Sequence, residues 1–75
     1  MIKKLKVAII GTGNIGSDLL VKIHRNPYLE CSRFIGRNLN SKGMQFAKEL
    51  GVKLSDKSIQ AIIEDPDCCD IVIDA

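Results

Sequence analysis

An α/β fold built on a parallel sheet is predicted by three features of the 75-residue sequence. An apolar run, Leu5-Lys6-Val7-Ala8-Ile9-Ile10, passes directly into Gly11-Thr12-Gly13-Asn14-Ile15-Gly16, and helical periodicity begins at once. Strand-like and helix-like segments then alternate three times before a last apolar strand, the pattern of right-handed crossovers onto parallel strands. The first strand is nearly all apolar, as expected of one covered on both faces.

Composition narrows the field. A chain this short forms at most one small domain and buries only about 60% of its unfolded surface. At 45% hydrophobic and 27% charged residues it has the make-up of an ordinary globular protein. The formal charge is +2, and Lys3, Lys4 and Lys6 form no basic stripe interleaved with aromatics, so no nucleic-acid partner is expected. No stretch approaches the ~20 apolar residues of a membrane span. The lysines ahead of the first apolar run do not make a signal peptide, because Lys6 interrupts that run and no small-residue cleavage site follows. Cys31, Cys68 and Cys69 suggest neither a disulfide framework nor a zinc site, so no metal is expected. Reduced thiols and a cytoplasmic location are the expectation.

The elements follow in order. The first strand spans Leu5 to Ile10. In the helix after the glycines, Ile15, Leu19, Leu20 and Ile23 form a stripe facing the sheet. Asp18 near its start and His24 and Arg25 near its end suit the helix dipole, and Asn26-Pro27 ends it. Leu29 to Gly36 is a second strand, more polar and so nearer an edge. Arg37-Asn38-Leu39-Asn40 is a loop. Ser41 caps a second helix running to about Leu50, with Met44, Ala47 and Leu50 packed and Gly51 ending it. Val52-Lys53-Leu54 is a short third strand. Ser55 or Asp56 caps a third helix carrying Ile59, Ile62 and Ile63, closed by Asp65-Pro66-Asp67. Asp70 to Ala75 is the fourth strand.

In a doubly wound sheet these strands take the order 3-2-1-4, with helices on both faces and the switch point between strands 1 and 4. This is a partial Rossmann-type sheet. A complete dinucleotide fold has six strands in two halves, and residues 1–75 supply the first half and one strand of the second. They are therefore expected to form the N-terminal portion of a dinucleotide-binding domain. The remainder of that domain and a catalytic domain would belong to a longer enzyme, and the fragment alone would be inactive.

The glycines give the expected site. Gly11 permits a sharp turn out of the strand. Gly13 leaves the main chain open to a pyrophosphate, and Gly16 lets the helix pack close to the strand it has just left. The unpaired N–H groups and dipole of the first helical turn favour an anion there. Counting on about 20 positions, where NAD sites commonly place a carboxylate on the ribose, reaches Gly36-Arg37-Asn38. Asn38 can hydrogen-bond a hydroxyl without repelling a phosphate. Arg37 can stack on adenine, pair with a 2′-phosphate, or serve only as a solvated loop residue. Taken alone, this segment leans toward dual use or NADP.

The run from Lys4 to Lys22, and above all Asn14-Ile15-Gly16 followed by a small polar residue and Asp18-Leu19, resembles the opening of the acylating, CoA-dependent acetaldehyde dehydrogenases. The likeness extends through Ile35-Gly36, Gly43, Ala47, Leu50-Gly51-Val52 and the strand Asp70 to Ala75. The resemblance implies oxidation of acetaldehyde or a short homologue to an acyl-CoA, with NAD as cofactor and CoA as co-substrate, in aromatic hydrocarbon catabolism. It implies 4-hydroxy-2-oxovalerate aldolase as the partner that supplies the aldehyde, and leaves homo-oligomerisation open. Thr12, Gly13, Asn14 and Ile15 would be NAD contacts. Asn38 departs from the family, whose members often carry aspartate there. The implied mechanism needs a nucleophilic cysteine, and none of the three fits, so no catalytic residue is expected within residues 1–75. Two other readings stay open: the cofactor domain of another NAD(P)-dependent dehydrogenase, and a non-catalytic NAD(H)-sensing module.

Overall fold

The computed structural model describes residues 4–11 and 13–75; Lys3 and Thr12, both singled out above, lie outside the described residues. Four parallel strands form one sheet: β1 (Leu5–Ile10), β2 (Leu29–Ile35), β3 (Lys53–Ser55) and β4 (Ile71–Asp74), in the spatial order β3-β2-β1-β4. Helices α1 (Asn14–Arg25), α2 (Lys42–Glu49) and α3 (Gln60–Glu64) fill the crossovers, with a short 3₁₀ turn at Pro66–Cys68. The predicted order and central first strand are both present. Among the described residues no helix is long and apolar enough to cross a membrane.

One face of the sheet carries the core. Val7 and Ile9 of β1 and Phe34 of β2 pack with Leu20 and Ile23 of α1 and Met44 and Ala47 of α2. Leu54 and Ile73, which pair with Phe34 and Ile9, extend the cluster onto the outer strands. Right-handed crossovers put α1 and α2 on this face. They put α3 on the other, because the β3-to-β4 connection runs back across the sheet. That second face holds the buried Ala8 and Ile35 and the half-buried Arg33. The guanidinium of Arg33 pairs at 3.0 Å with Asp65, just past α3.

Phe34 reaches the core face through a register shift. Val7 pairs with Cys31, but Ala8 pairs with Arg33, so Ser32 is an extra residue on β2. Its hydroxyl donates to the Val7 carbonyl at 3.4 Å. Side chains alternate faces along a strand. The inserted residue therefore lets Leu29, Cys31 and Phe34 all point into the cluster.

Element ends follow the local chemistry in most places. The Ser41 hydroxyl accepts from the Met44 amide at 3.3 Å and caps α2. At the other end Gly51 takes φ +80, while Gly51 and Val52 donate to the carbonyls of Lys48 and Ala47. This is a Schellman closure. Asn26 leaves α1 in extended conformation ahead of Pro27, as expected.

Several expectations are corrected. The third helix is capped by neither Ser55 nor Asp56. Ser55 ends β3 and its hydroxyl accepts from the Lys57 amide at 3.1 Å, while α3 begins only after Ile59, without a side-chain cap. The helix is five residues long with none buried, and Ile59 and Ile63 are exposed. Ile15 does not join the sheet-facing stripe of α1. It sits in the first turn at 70% exposure, and Gly16 takes the buried position with Leu20 and Ile23. Asp18, the fifth residue of α1, pairs with Lys22 at 3.0 Å on the solvent side. The strands β2, β3 and β4 are each shifted or trimmed by a residue relative to the sequence reading. Asp70 lies outside β4 and instead ties the strand entrances together: its carboxylate accepts from the Lys6 amide at 2.9 Å and its amide donates to the Lys6 carbonyl at 2.7 Å.

Phe34 is fully buried at the centre of the one packed face. Phe34→Ala is expected to lower the unfolding free energy by about 3–5 kcal/mol, the range for aromatic truncations in cores. Urea unfolding followed by far-UV circular dichroism measures it.

Candidate dinucleotide site

The site is assembled at the carboxyl ends of the strands. β1 is held on both sides as it ends: the Gly11 amide donates to the Ile35 carbonyl at 2.7 Å, and the Ala75 amide donates to the Ile10 carbonyl at 2.8 Å. Gly11 then turns with φ +112, where a side chain is disfavoured, and a Cβ there would lie 2.6 Å from the Ala75 carbonyl oxygen. At Gly16 a Cβ would run into the Gly11 carbonyl, with the carbonyl carbon at only 2.8 Å. Helix α1 can lie this close to the turn only because position 16 has no side chain.

Gly13 is different. Its φ of −75 is unstrained, and a Cβ there would meet nothing within 4 Å. The missing side chain leaves open space at the helix entrance. No side chain caps α1 and no acidic residue lies in its first turn. The first backbone bond described at this end is from the Ser17 amide to the Gly13 carbonyl at 2.9 Å. Among the described residues no acceptor is seen for the amides ahead of Ser17, which stand at the positive end of the helix dipole.

Beside the turn lies a cleft of ≈ 500 Å³, lined by the loops that follow all four strands. Of the expected site residues, Gly11, Arg37 and Asn38 line it. Gly13, Asn14, Ile15 and Gly16 do not; they form the adjacent helix entrance, with Asn14 and Ile15 exposed and Gly16 buried. Thr12 lies outside the described residues. Three polar lining residues were not anticipated: Asp56 and Ser58 after β3, and Asp74 at the end of β4. The turn chemistry at 55–58 was read as a helix cap, although the parallel topology already brings every strand's carboxyl end to this rim. Ser58 has a positive φ of 54.

Asn38 makes a local turn of its own. Its side-chain Oδ1 accepts from the Asn40 amide at 2.9 Å, and its main-chain carbonyl accepts from the Ser41 amide at 3.1 Å. Arg37 is exposed at the cleft edge.

A family model described as an oxidoreductase family with an NAD-binding Rossmann fold matches residues 5–75. The chain belongs to that family. The glycine turn, the order 3-2-1-4 and the uncapped helix start are thus parts of an NAD-binding Rossmann fold. Proteins named acetaldehyde dehydrogenase are its relatives. One from Pectobacterium atrosepticum is 59% identical over 73 residues, covering 97% of this chain and 25% of that protein. Others from Spirochaeta aurantia and Bacillus cereus are 51% and 48% identical over 73 residues, again covering 97% of this chain. The chain spans about a quarter of the length of these relatives.

The cysteines lie apart from the cleft. The half-buried Cys31 thiol donates to the Arg33 carbonyl at 3.3 Å, and burial raises its pKa from 9.0 to about 11. Cys69 is raised to about 11 by burial and then by its neighbours Cys68 and Asp70. Cys68 and Cys69 precede β4, at the amino end of the sheet. For an acid whose folded pKa is raised, stability is fully present below the unfolded pKa and is lost as pH rises toward the folded one.

Two outcomes follow from this geometry. Gly16→Ala should cost about 1–3 kcal/mol of stability, as overpacking does, whereas Gly13→Ala should change the urea midpoint little. The protein should also lose stability between about pH 9 and pH 11, and the loss should be smaller in Cys31→Ala; urea midpoints across that interval give the comparison.

Proposed function

We propose that this chain is the NAD-binding segment of an acylating acetaldehyde dehydrogenase, which oxidises acetaldehyde or a short homologue with CoA and NAD to an acyl-CoA and NADH. The observation that carries the reading is the open, carboxylate-free entrance of α1 above the glycine turn, in a chain similar over nearly its full length to proteins of that name.

The residues present fit the cofactor. The space a Cβ would occupy at Gly13 is free for a phosphate oxygen, and the orphan amides of the first helical turn supply donors without a competing carboxylate. In this reading Gly11, Thr12, Gly13, Asn14, Ile15 and Gly16 hold the pyrophosphate, and Arg37 and Asn38 reach the adenosine ribose. NAD, when bound, supplies the hydride acceptor. The side chains along this rim bind and orient; none is placed to attack a carbonyl.

An acylating reaction needs a thiolate, because the acyl group passes through a thioester before CoA takes it. Cys31 and Cys69 hold their protons well above neutral pH. Residues 1–75 are therefore proposed to be the N-terminal portion of a longer polypeptide whose remaining length carries the nucleophile and the CoA site. On its reduced thiols the enzyme is proposed to be cytoplasmic, and by resemblance it is proposed to take its aldehyde from 4-hydroxy-2-oxovalerate aldolase.

The full-length protein should reduce NAD with acetaldehyde only when CoA is present, yielding acetyl-CoA. Aldehyde oxidation that proceeds equally without CoA points instead to a non-acylating dehydrogenase. Gly13→Leu should remove NAD binding in calorimetric titration and leave the far-UV circular dichroism unchanged; retained affinity would contradict the assigned phosphate position.

A further inference from the structure

We propose that this site accepts NADP as well as NAD, because the loop that follows β2 offers the cleft the side-chain amide of Asn38 and the guanidinium of Arg37 and no carboxylate. The inference rests on the dinucleotide reading above and names the selectivity of that same site.

Selection for NAD usually depends on a carboxylate about 20 residues past the glycines, which accepts from the ribose hydroxyls and repels a 2′-phosphate. The hydrogen bond from the Gly11 amide to the Ile35 carbonyl sets the start of the 36–38 loop directly beside the glycine turn. The side chain found there is an amide already in use. Asn38 Oδ1 is fixed as the acceptor of the Asn40 N–H, since that backbone donor requires an oxygen. The main-chain carbonyl of Asn38 is taken by Ser41. Its Nδ2 carries two N–H groups, which can donate to a ribose hydroxyl oxygen or to a phosphate oxygen equally well. The neighbouring Arg37 is exposed on the same rim and adds a guanidinium suited to phosphate.

The cleft's carboxylates stand elsewhere. Asp56 follows β3, and the Gly36 amide donates to the Ser55 carbonyl at 3.0 Å, so Asp56 lies one strand further from the glycine turn than the 36–38 loop. Asp74 ends β4, on the opposite side of β1. No carboxylate belongs to the loop that follows β2.

The test is direct binding, by calorimetric titration of the full-length protein with NAD and separately with NADP. The expected result is two affinities within about tenfold of each other, or roughly 1.4 kcal/mol. Asn38→Asp retains an oxygen for the Asn40 amide, so the loop turn survives, and the variant should favour NAD over NADP by about tenfold more than the parent. Arg37→Ala should weaken NADP about tenfold more than it weakens NAD. Binding of NAD with NADP more than about a hundredfold weaker overturns the inference and leaves the dinucleotide site standing. Binding of neither overturns both. An affinity ratio unchanged by Asn38→Asp removes Asn38 from the ribose and overturns the inference on its own.

Discussion

The Gly11 carbonyl lies against Gly16 so closely that an added Cβ would sit 2.8 Å from the carbonyl carbon and nearer still to its oxygen. This contact couples strand to helix. It requires the turn at Gly11 to enter the left-handed region, and it sets α1 down on β1 with Leu20 and Ile23 reaching Val7 and Ile9. The first-turn amides thereby acquire a fixed direction relative to the sheet. A helix start becomes an anion site only when its donors are held in place and nothing of the protein's own occupies them. Among the described residues no side chain caps α1, in keeping with the second condition, and the glycine contact supplies the first.

Packing is unequal on the two faces. The α1 and α2 side holds the buried cluster, while the α3 side depends on a five-residue helix without a buried residue. Arg33 shows the consequence. Its side chain is only 18% exposed on the thinner face and it takes Asp65 as partner. The well-packed face is the one under the glycine turn, so the phosphate end of the site rests on the firmer part of the molecule.

Strands, helices and their order were legible because each depended on local periodicity and punctuation. Gly51, Ser41 and Asn26-Pro27 each act within a few residues, and all three behave as the sequence suggests. What escaped depended on tertiary placement. The inserted Ser32 is invisible to an alternation count, since Cys31 and Phe34 share a face only after the register against β1 is known. Ile15 fits a helical stripe by spacing, yet the close approach of α1 at Gly16 leaves the first turn above the sheet rim, and Ile15 faces solvent. Ser55 and Asp56 have the chemistry of helix caps, but β3 runs one residue further and absorbs Ser55. Of the candidate site, the glycine turn was legible as a motif and Arg37 and Asn38 by counting. Asp56, Ser58 and Asp74 join the cleft only because parallel strands deliver all their carboxyl ends to one rim.

In the proposed reading, the arrangement of charge on that rim would orient a dinucleotide. A pyrophosphate would be kept from the neighbourhoods of Asp56 and Asp74 by like-charge repulsion. These carboxylates follow β3 and β4, on either side of the β1–β2 pair. The orphan amides lie at the end of β1, and the Arg37 guanidinium lies at the end of β2. Anionic groups are thus confined to the middle of the rim, and the uncharged ring systems of the ligand must extend toward its flanks. The same separation explains how the β2 loop can dispense with a carboxylate. With acids on both outer strands and donors on the inner pair, the proposed phosphate position follows from the sheet order itself, and on that reading the loop after β2 is left to set which ribose is accepted.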